Sequence, residues 1–184
     1  MRRLRPALLR RAVPLAALLP VLALSACGPG RDEFTPACPI ARPLPAAEHL
    51  HRYRDPNRPD GRDPSQLVVS GLLLGVAGKC RPGDNAHSLH ATMTVRMRLD
   101  RGPAAPPGGV DIPYFIAVAE GPHILSKKVF ATHVAFPADS GRVELTSAPV
   151  AVILPVGSTQ TGAAYTIWVG FQLTPAEFKA EATR

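Results

Sequence analysis

The sequence predicts an all-β protein, an antiparallel immunoglobulin-like β-sandwich of six to seven strands with a short C-terminal helix. Apolar and polar residues alternate strictly from Leu89 to Leu99, which is the period of a strand with one buried and one solvated face. The chain contains 21 prolines in 184 residues, and proline at this frequency argues against long helices. No segment shows the alternation of strand and helix that a parallel sheet requires.

The predicted strands follow one another from residue 66 onwards. They are the segments 66–77, 89–99, 112–119, 123–136, 142–154 and 164–173. Segment 123–136 is either a strand pair or one long bent strand. Segment 142–154 is interrupted near Pro149, which indicates an edge or a bulge. In the last segment, alternate residues from Tyr165 to Leu173 share an apolar face, and Trp168 lies on the other face.

The C-terminal helix is predicted from its first residues. Thr174-Pro175-Ala176-Glu177 has the pattern of a capping box with proline at the first helical position. We expect one or two helical turns through about Ala182, with Phe178 packed against the sandwich.

The N-terminal segment has the order of a secretory signal. Residues 1–11 are basic, residues 12–23 are apolar, and small residues follow. A membrane-spanning helix needs about 20 apolar residues, whereas this run is shorter and contains Pro14 and Pro20. We therefore expect residues 1–26 to be a signal peptide that is removed on export.

The end of this signal resembles the lipobox of bacterial lipoproteins, in the residues Leu24-Ser25-Ala26-Cys27. The resemblance implies diacylglyceryl transfer to the Cys27 thiol, cleavage before it, and acylation of the new amino terminus, for example with palmitate. Two or more acyl chains anchor a protein stably, at about 0.8 kcal/mol per buried methylene. Gly28 rather than Asp follows the cysteine, which in this class resembles an outer-membrane rather than an inner-membrane destination. The alternative is ordinary secretion with Cys27 as a free thiol.

The mature chain is predicted to have three parts. Residues 27–37 form a flexible tether, and residues 38–64 form an irregular lead-in with one helical turn around Pro45–His51. Residues 65–184 form the sandwich with its C-terminal helical turn.

Two cysteines remain when Cys27 is acylated. An exported protein is in an oxidising compartment, so Cys38 and Cys80 are expected to form a disulfide. The closed loop of about 43 residues corresponds to a stabilisation of roughly 4 kcal/mol. Two free thiols are the alternative.

The positive charge belongs mainly to the signal peptide. The formal net charge is +7, but five arginines lie in residues 1–26, and removing them leaves 16 basic and 14 acidic side chains. A mature protein so nearly neutral does not predict a nucleic-acid partner.

Two strand segments carry a further resemblance. Pro113-Tyr114-Phe115-Ile116-Ala117-Val118 and Val169-Gly170-Phe171-Gln172-Leu173-Thr174-Pro175, with the lipobox and the two cysteines, resemble small uncharacterised lipoproteins of alphaproteobacteria. The resemblance implies an envelope location and no particular activity.

Few residues suggest chemistry. His49 and His51 are two apart and would share a face in an extended segment, which makes them weak candidates for a metal site. No Gly-x-Ser-x-Gly or Ser-x-x-Lys motif and no phosphate-binding glycine loop occurs in the sequence. We expect no catalytic residue and no cofactor. Trp168 and Tyr165 are candidates for an aromatic binding patch, although core packing explains such residues more often.

These observations predict a membrane-anchored envelope lipoprotein that is not an enzyme. We expect it to face the periplasm from a lipid on Cys27, and to be a structural or protein-interaction module with an envelope protein as partner. The alternatives are a small-ligand or metal-binding periplasmic module and an unrecognised hydrolase.

Overall fold

The structure, a computed structural model, describes residues 37–55 and 63–182. The predicted signal peptide, Cys27 and all of the tether except Ala37 lie outside the described residues.

The described part of the chain contains nine strands, three 3-10 turns and one α-helix. The strands are β1 Ile40–Pro43, β2 His49–Tyr53, β3 Leu67–Pro82, β4 Ser88–Arg101, β5 Val110–Glu120, β6 His123–Val134, β7 Arg142–Thr146, β8 Val150–Pro155 and β9 Tyr165–Phe171. The 3-10 turns are Pro45–Ala47, Pro64–Gln66 and Gly162–Ala164, and the helix is α1, Pro175–Glu181.

The strands form two sheets, which confirms the predicted all-β sandwich. One sheet has the order β1-β9-β5-β6, and the other has the order β2-β3-β4-β7, with β8 also paired to β4. β7 pairs with the second half of β4 and β8 pairs with its first half. The strand pairs are antiparallel except β1 with β9, which is parallel.

The core lies between the two sheets and follows from strand alternation. On β4 the buried residues are Leu89, Ala91, Met93, Val95, Met97 and Leu99, as the sequence pattern predicts. On the facing sheet Ile167, Val169 and Phe171 of β9 are fully buried in the same cluster. Each large side chain buried in this way contributes roughly 1.5–3 kcal/mol.

The prediction of an irregular lead-in was wrong for residues 40–43 and 49–53. β1 and β2 are edge strands, one in each sheet, and Leu50 of β2 is fully buried. Both strands are too short to show a clear period, and β1 pairs with β9, more than 100 residues along the chain. Of the helical turn predicted around Pro45–His51, Pro45–Ala47 forms a 3-10 turn, whereas His49–His51 belong to β2. The sandwich therefore begins at Ile40, and seven further strands follow between Leu67 and Phe171.

Strand pairing shows how many strands two of the predicted segments contain. Segment 123–136 contains one strand, β6, whose register shifts near Leu125. Segment 142–154 contains two strands, β7 and β8, separated by Ser147–Pro149. Ser147 is buried, and its Oγ accepts a hydrogen bond from the Val95 backbone nitrogen at 3.0 Å. The Ser147 side chain therefore provides a hydrogen-bond acceptor for the Val95 backbone nitrogen of β4, at the gap between β7 and β8.

The capping box of α1 is confirmed, but Phe178 does not pack as expected. Thr174 Oγ1 accepts from the Glu177 nitrogen at 3.2 Å, and Glu177 Oε2 accepts from the Thr174 nitrogen at 2.7 Å. Glu177 is 5% exposed, whereas Phe178 is 49% exposed. Arg52 Nε donates to Glu177 Oε1 at 2.9 Å. Because Glu177 turns towards β2, the next residue lies about 100° round the helix, and Phe178 is left half exposed at a pocket beside β2.

The predicted disulfide is present. Cys38, just before β1, is bonded to Cys80 of β3, with 5.8 Å between their Cα atoms. The bond fastens the start of the sandwich to the longest strand of the other sheet. Among residues 37–55 and 63–182, no helix has the length and hydrophobicity needed to cross a membrane.

Candidate functional site

The two histidines singled out from the sequence lie on β2 and line one pocket. This pocket has a volume of about 340 Å³ and includes His49, His51, Phe178 and Glu181. His51 Nδ1 lies 2.8 Å from Glu181 Oε1, and His49 Nε2 lies 3.7 Å from Glu48 Oε1. Within the described ranges, no group of three or more His, Cys, Asp and Glu side chains is arranged to hold a metal ion.

His51 has a clear structural role. His51 pairs with Glu181 near the end of α1, and Arg52 pairs with Glu177 near its start. Two successive residues of β2 thus fasten both turns of the helix to the sandwich. The pocket is the space left beside this attachment.

Tyr165 and Trp168 do not form one aromatic patch. Tyr165 is buried, and its hydroxyl donates to the Pro155 carbonyl at 2.7 Å. Burial raises the pKa of Tyr165, and the nearby Glu120 carboxylate raises it further. Trp168 points to the other face of β9, where the Arg42 guanidinium lies 4.4 Å from its ring centroid.

The most distinctive surface is a side of the sandwich that we call the open edge, formed by β6 (His123–Val134) and β8 (Val150–Pro155). β6 ends the order of one sheet, and β8 lies on the outer side of β4 in the other. In the described part of the chain neither strand has a second neighbour. Both strands therefore present one row of backbone groups without a strand partner from these residues.

An apolar groove of about 380 Å³ runs between the two strands of the open edge. Ile116 and Val118 of β5 line it together with Phe130 of β6 and Val150 and Val152 of β8. The Phe130 ring is stacked on Tyr114, with 5.6 Å between centroids. Part of the groove wall therefore consists of core side chains that are held in place by the two sheets.

Large apolar side chains are also exposed on both strands of the open edge. Six large hydrophobic residues are exposed in the described ranges, and four of them lie on the open edge. They are Ile124 at 59%, Leu125 at 51%, Val129 at 54% and Ile153 at 66% exposure. Clustered exposure of this kind marks interaction surfaces on soluble domains, whereas single exposed apolar residues do not.

Positive charge is concentrated at the centre of β6. Lys127 and Lys128 are both exposed, and they lie opposite Ala117 and Ile116 of β5. The Lys127 ammonium lies 4.3 Å from the Phe115 ring centroid on the outer face. Lys128 lines the groove. The two lysines thus place positive charge on both faces of the edge strand.

The ends of β6 are different, because each is paired with an acidic residue of β5. His123 is opposite Glu120 at one end. At the other end His133 Nδ1 lies 2.8 Å from Asp111 Oδ1, and His133 Nε2 lies 3.0 Å from the Gly108 carbonyl oxygen. The hydrogen bond with Asp111, followed by that with Gly108, raises the pKa of His133.

The opposite side of the sandwich carries the disulfide. The disulfide and β1 border a groove of about 220 Å³ there, lined by Cys38, Ala41, Cys80 and Ile167 among others. The Leu44 nitrogen donates to the Val169 carbonyl at 2.7 Å and so continues the attachment of β1. The edge strands on this side, β1 and β2, are therefore fastened by the disulfide and by α1.

Sequence reasoning did not identify the open edge, although a signal was present. In segment 123–136, apolar Ile124 and Leu125 are adjacent, and so are Lys127 and Lys128. This breaks the alternation of a strand with one buried face, and indicates a strand that is exposed on both faces over part of its length.

Comparison with protein-family models, with curated proteins and with solved structures finds no match for this chain.

Proposed function

We propose that this chain is a lipid-anchored lipoprotein of the bacterial envelope, and that its sandwich is a non-catalytic module that binds another envelope protein through the open edge. The single observation that carries the proposal is the apolar groove between β6 and β8, together with the four large apolar side chains that are exposed on these two strands.

The length of β6 supports this proposal. The strand has 12 residues, whereas strands average about 5–6 residues. Proteins usually shorten, charge or cover their edge strands, because an exposed edge pairs readily with other chains. A long edge strand with Ile124, Leu125 and Val129 exposed is better explained by a partner that covers it.

The anchor is supported by the lipobox, Leu24-Ser25-Ala26-Cys27, and by its position after an apolar segment. Ten residues separate Cys27 from Cys38, and such a tether spans at most about 35 Å when fully extended. A lipid on Cys27 would keep the open edge within reach of proteins in the same membrane. Gly28 after the cysteine favours the periplasmic face of the outer membrane over that of the inner membrane.

Photo-crosslinking in intact cells tests the proposed interaction. A photoreactive amino acid replaces Val129 or Ile153 of the open edge, and Lys79 of β3 is the control position because it is also exposed. We expect both open-edge positions to give an adduct with the same envelope protein and the control to give none. Equal labelling at Lys79, or no adduct from either open-edge position, would overturn the proposal.

The intact mass of protein extracted from membranes tests the anchor separately. We expect a chain that begins at Cys27 and carries a diacylglyceryl group and an acyl chain. An unmodified Cys27, or a chain that still contains residues 1–26, would show that the anchor does not exist.

A further inference from the structure

We infer that the partner contributes an extended segment that adds as a strand to β6, and that this segment is acidic where it passes Lys127 and Lys128. The inference rests on the proposed function and adds the chemistry that the open edge would recognise.

The geometry of the open edge favours a strand as the bound element. A strand added to β6 would lie about 4.7–4.9 Å from it, and its alternate side chains would point to the same face as those of β6. On the inner face these side chains would enter the groove beside Phe130 and Ile116. Strand addition combines backbone hydrogen bonds for affinity with side-chain pockets for specificity.

The charge of β6 favours carboxylates in this strand. Lys127 and Lys128 lie opposite apolar residues of β5, whereas His123 and His133 at the ends lie beside Glu120 and Asp111. The two lysines at the centre of β6 therefore have no acidic neighbour on β5. Oppositely charged residues across a strand pair stabilise the pairing, and like charges destabilise it.

The same lysines argue against a second copy of this chain as the occupant. If two copies of β6 paired in antiparallel fashion about a point near their centres, four lysine side chains would come together. Lysine on an edge strand is a common means by which proteins prevent pairing with themselves. An acidic strand from a different protein would therefore cover the apolar surface of the open edge and pair with the charges of Lys127 and Lys128.

The test uses the mature, lipidated protein in detergent and two synthetic peptides. The first peptide alternates Val or Ile with Thr and has Asp-Glu at its centre, and the second has Lys-Lys in place of Asp-Glu. Binding is measured by fluorescence anisotropy, and the bound region is located by amide hydrogen exchange. We expect the acidic peptide to bind at least tenfold more tightly and to slow exchange in residues 124–132.

Charge reversal provides the matched variants. The double variant Lys127→Glu/Lys128→Glu is expected to prefer the lysine peptide, so the order of the two affinities should invert. Lys79→Glu/Arg81→Glu makes the same change of charge at exposed positions on β3, and it should leave both affinities unchanged. If the reversed variant fails to fold, Lys127→Gln/Lys128→Gln should still reduce the preference for the acidic peptide.

Each other outcome has a distinct meaning. The inference of an acidic partner strand would be overturned by equal binding of both peptides or by no binding. It would also be overturned if the bound peptide slowed amide exchange away from β6. Protection of β6 by the protein itself, together with a dimer in solution, would show that a second copy is the occupant. If Val129 still crosslinks to an envelope protein while the acidic peptide does not bind, the proposed function stands and only this inference fails.

Discussion

At the scale of single residues, His133 joins the loop before β5 to the edge strand β6. Its ring lies against the Asp111 carboxylate and the Gly108 carbonyl oxygen, and these hydrogen bonds raise its pKa. A raised pKa in the folded state means that the protonated form favours folding. This contribution is fully present below the unfolded pKa of about 6.5, and it is lost as the pH rises through the folded value.

We therefore predict that the attachment of this loop weakens as the pH rises through the pKa of His133. An NMR titration should place the midpoint of His133 above the ordinary histidine value, and the Gly108 and Gly109 amides should exchange faster on the alkaline side, after correction for intrinsic rates. Asp111→Asn should return the midpoint towards the ordinary value. A midpoint that is normal in the native chain, or unaffected by this substitution, would contradict the assigned contacts.

A second residue-scale prediction concerns Gly102, which is buried at the end of β4. Its nitrogen donates to the Val68 carbonyl at 2.9 Å, and an added Cβ would lie 2.0 Å from the Leu67 carbonyl oxygen. Because backbone atoms must move, Gly102→Ala should lower the free energy of unfolding by about 1–3 kcal/mol. Gly108→Ala is the control, since nothing lies within 4 Å of its added Cβ. Urea denaturation should separate the two variants; similar midpoints would show that the close approach is absent.

At the scale of the elements, the sequence was most informative where a strand has one buried face. The alternation in 89–99 predicted β4, and the apolar face of 164–173 predicted β9. β1 and β2 were missed because they have only four and five residues. Their place in the sandwich is decided by pairing with β9 and β3, which no local pattern reveals.

Contacts between distant elements are likewise not revealed by a local sequence pattern. The capping box of α1 was predictable because Thr174 and Glu177 are three residues apart. The pairing of Glu177 with Arg52 joins residues 125 apart in sequence. Because this pairing sets which side of α1 faces β2, the exposure of Phe178 could not be predicted from the local sequence. The histidines His49 and His51 were correctly expected to share a face, but the attachment of His51 to Glu181 also depends on the position of α1.

The disulfide gives an element-scale prediction, because it fastens the residue before β1 to β3. Reduction should lower the free energy of unfolding by roughly 4 kcal/mol, chiefly because the unfolded chain gains conformational freedom. The variant Cys38→Ala/Cys80→Ala should have the stability of the reduced protein and should not respond to reductant. Denaturation with and without reductant measures both effects, and an unchanged midpoint in the native chain would disprove the stabilising role.

At the scale of the whole molecule, the two sides of the sandwich differ. On one side lie the edge strands β1 and β2, and there the disulfide fastens the residue before β1 to β3. The other side is the open edge, where apolar side chains and two lysines are exposed. The sequence predicted the sandwich but not this difference, because the difference depends on which strands end each sheet.

The proposed function requires the anchor and the open edge to act together. The proposed lipid on Cys27 would restrict the sandwich to the membrane surface and so raise its effective concentration near a membrane-bound partner. Neither feature has the same effect alone, because a released sandwich would meet the partner at a much lower local concentration.

The most direct test of the proposed function is the crosslinking yield from Val129 in intact cells, compared between the native chain and Cys27→Ser. We expect one adduct with an envelope protein in the native chain, and a yield at least several-fold lower when Cys27 is replaced at equal protein level. The absence of that adduct in the native chain, or an undiminished yield without Cys27, would contradict it.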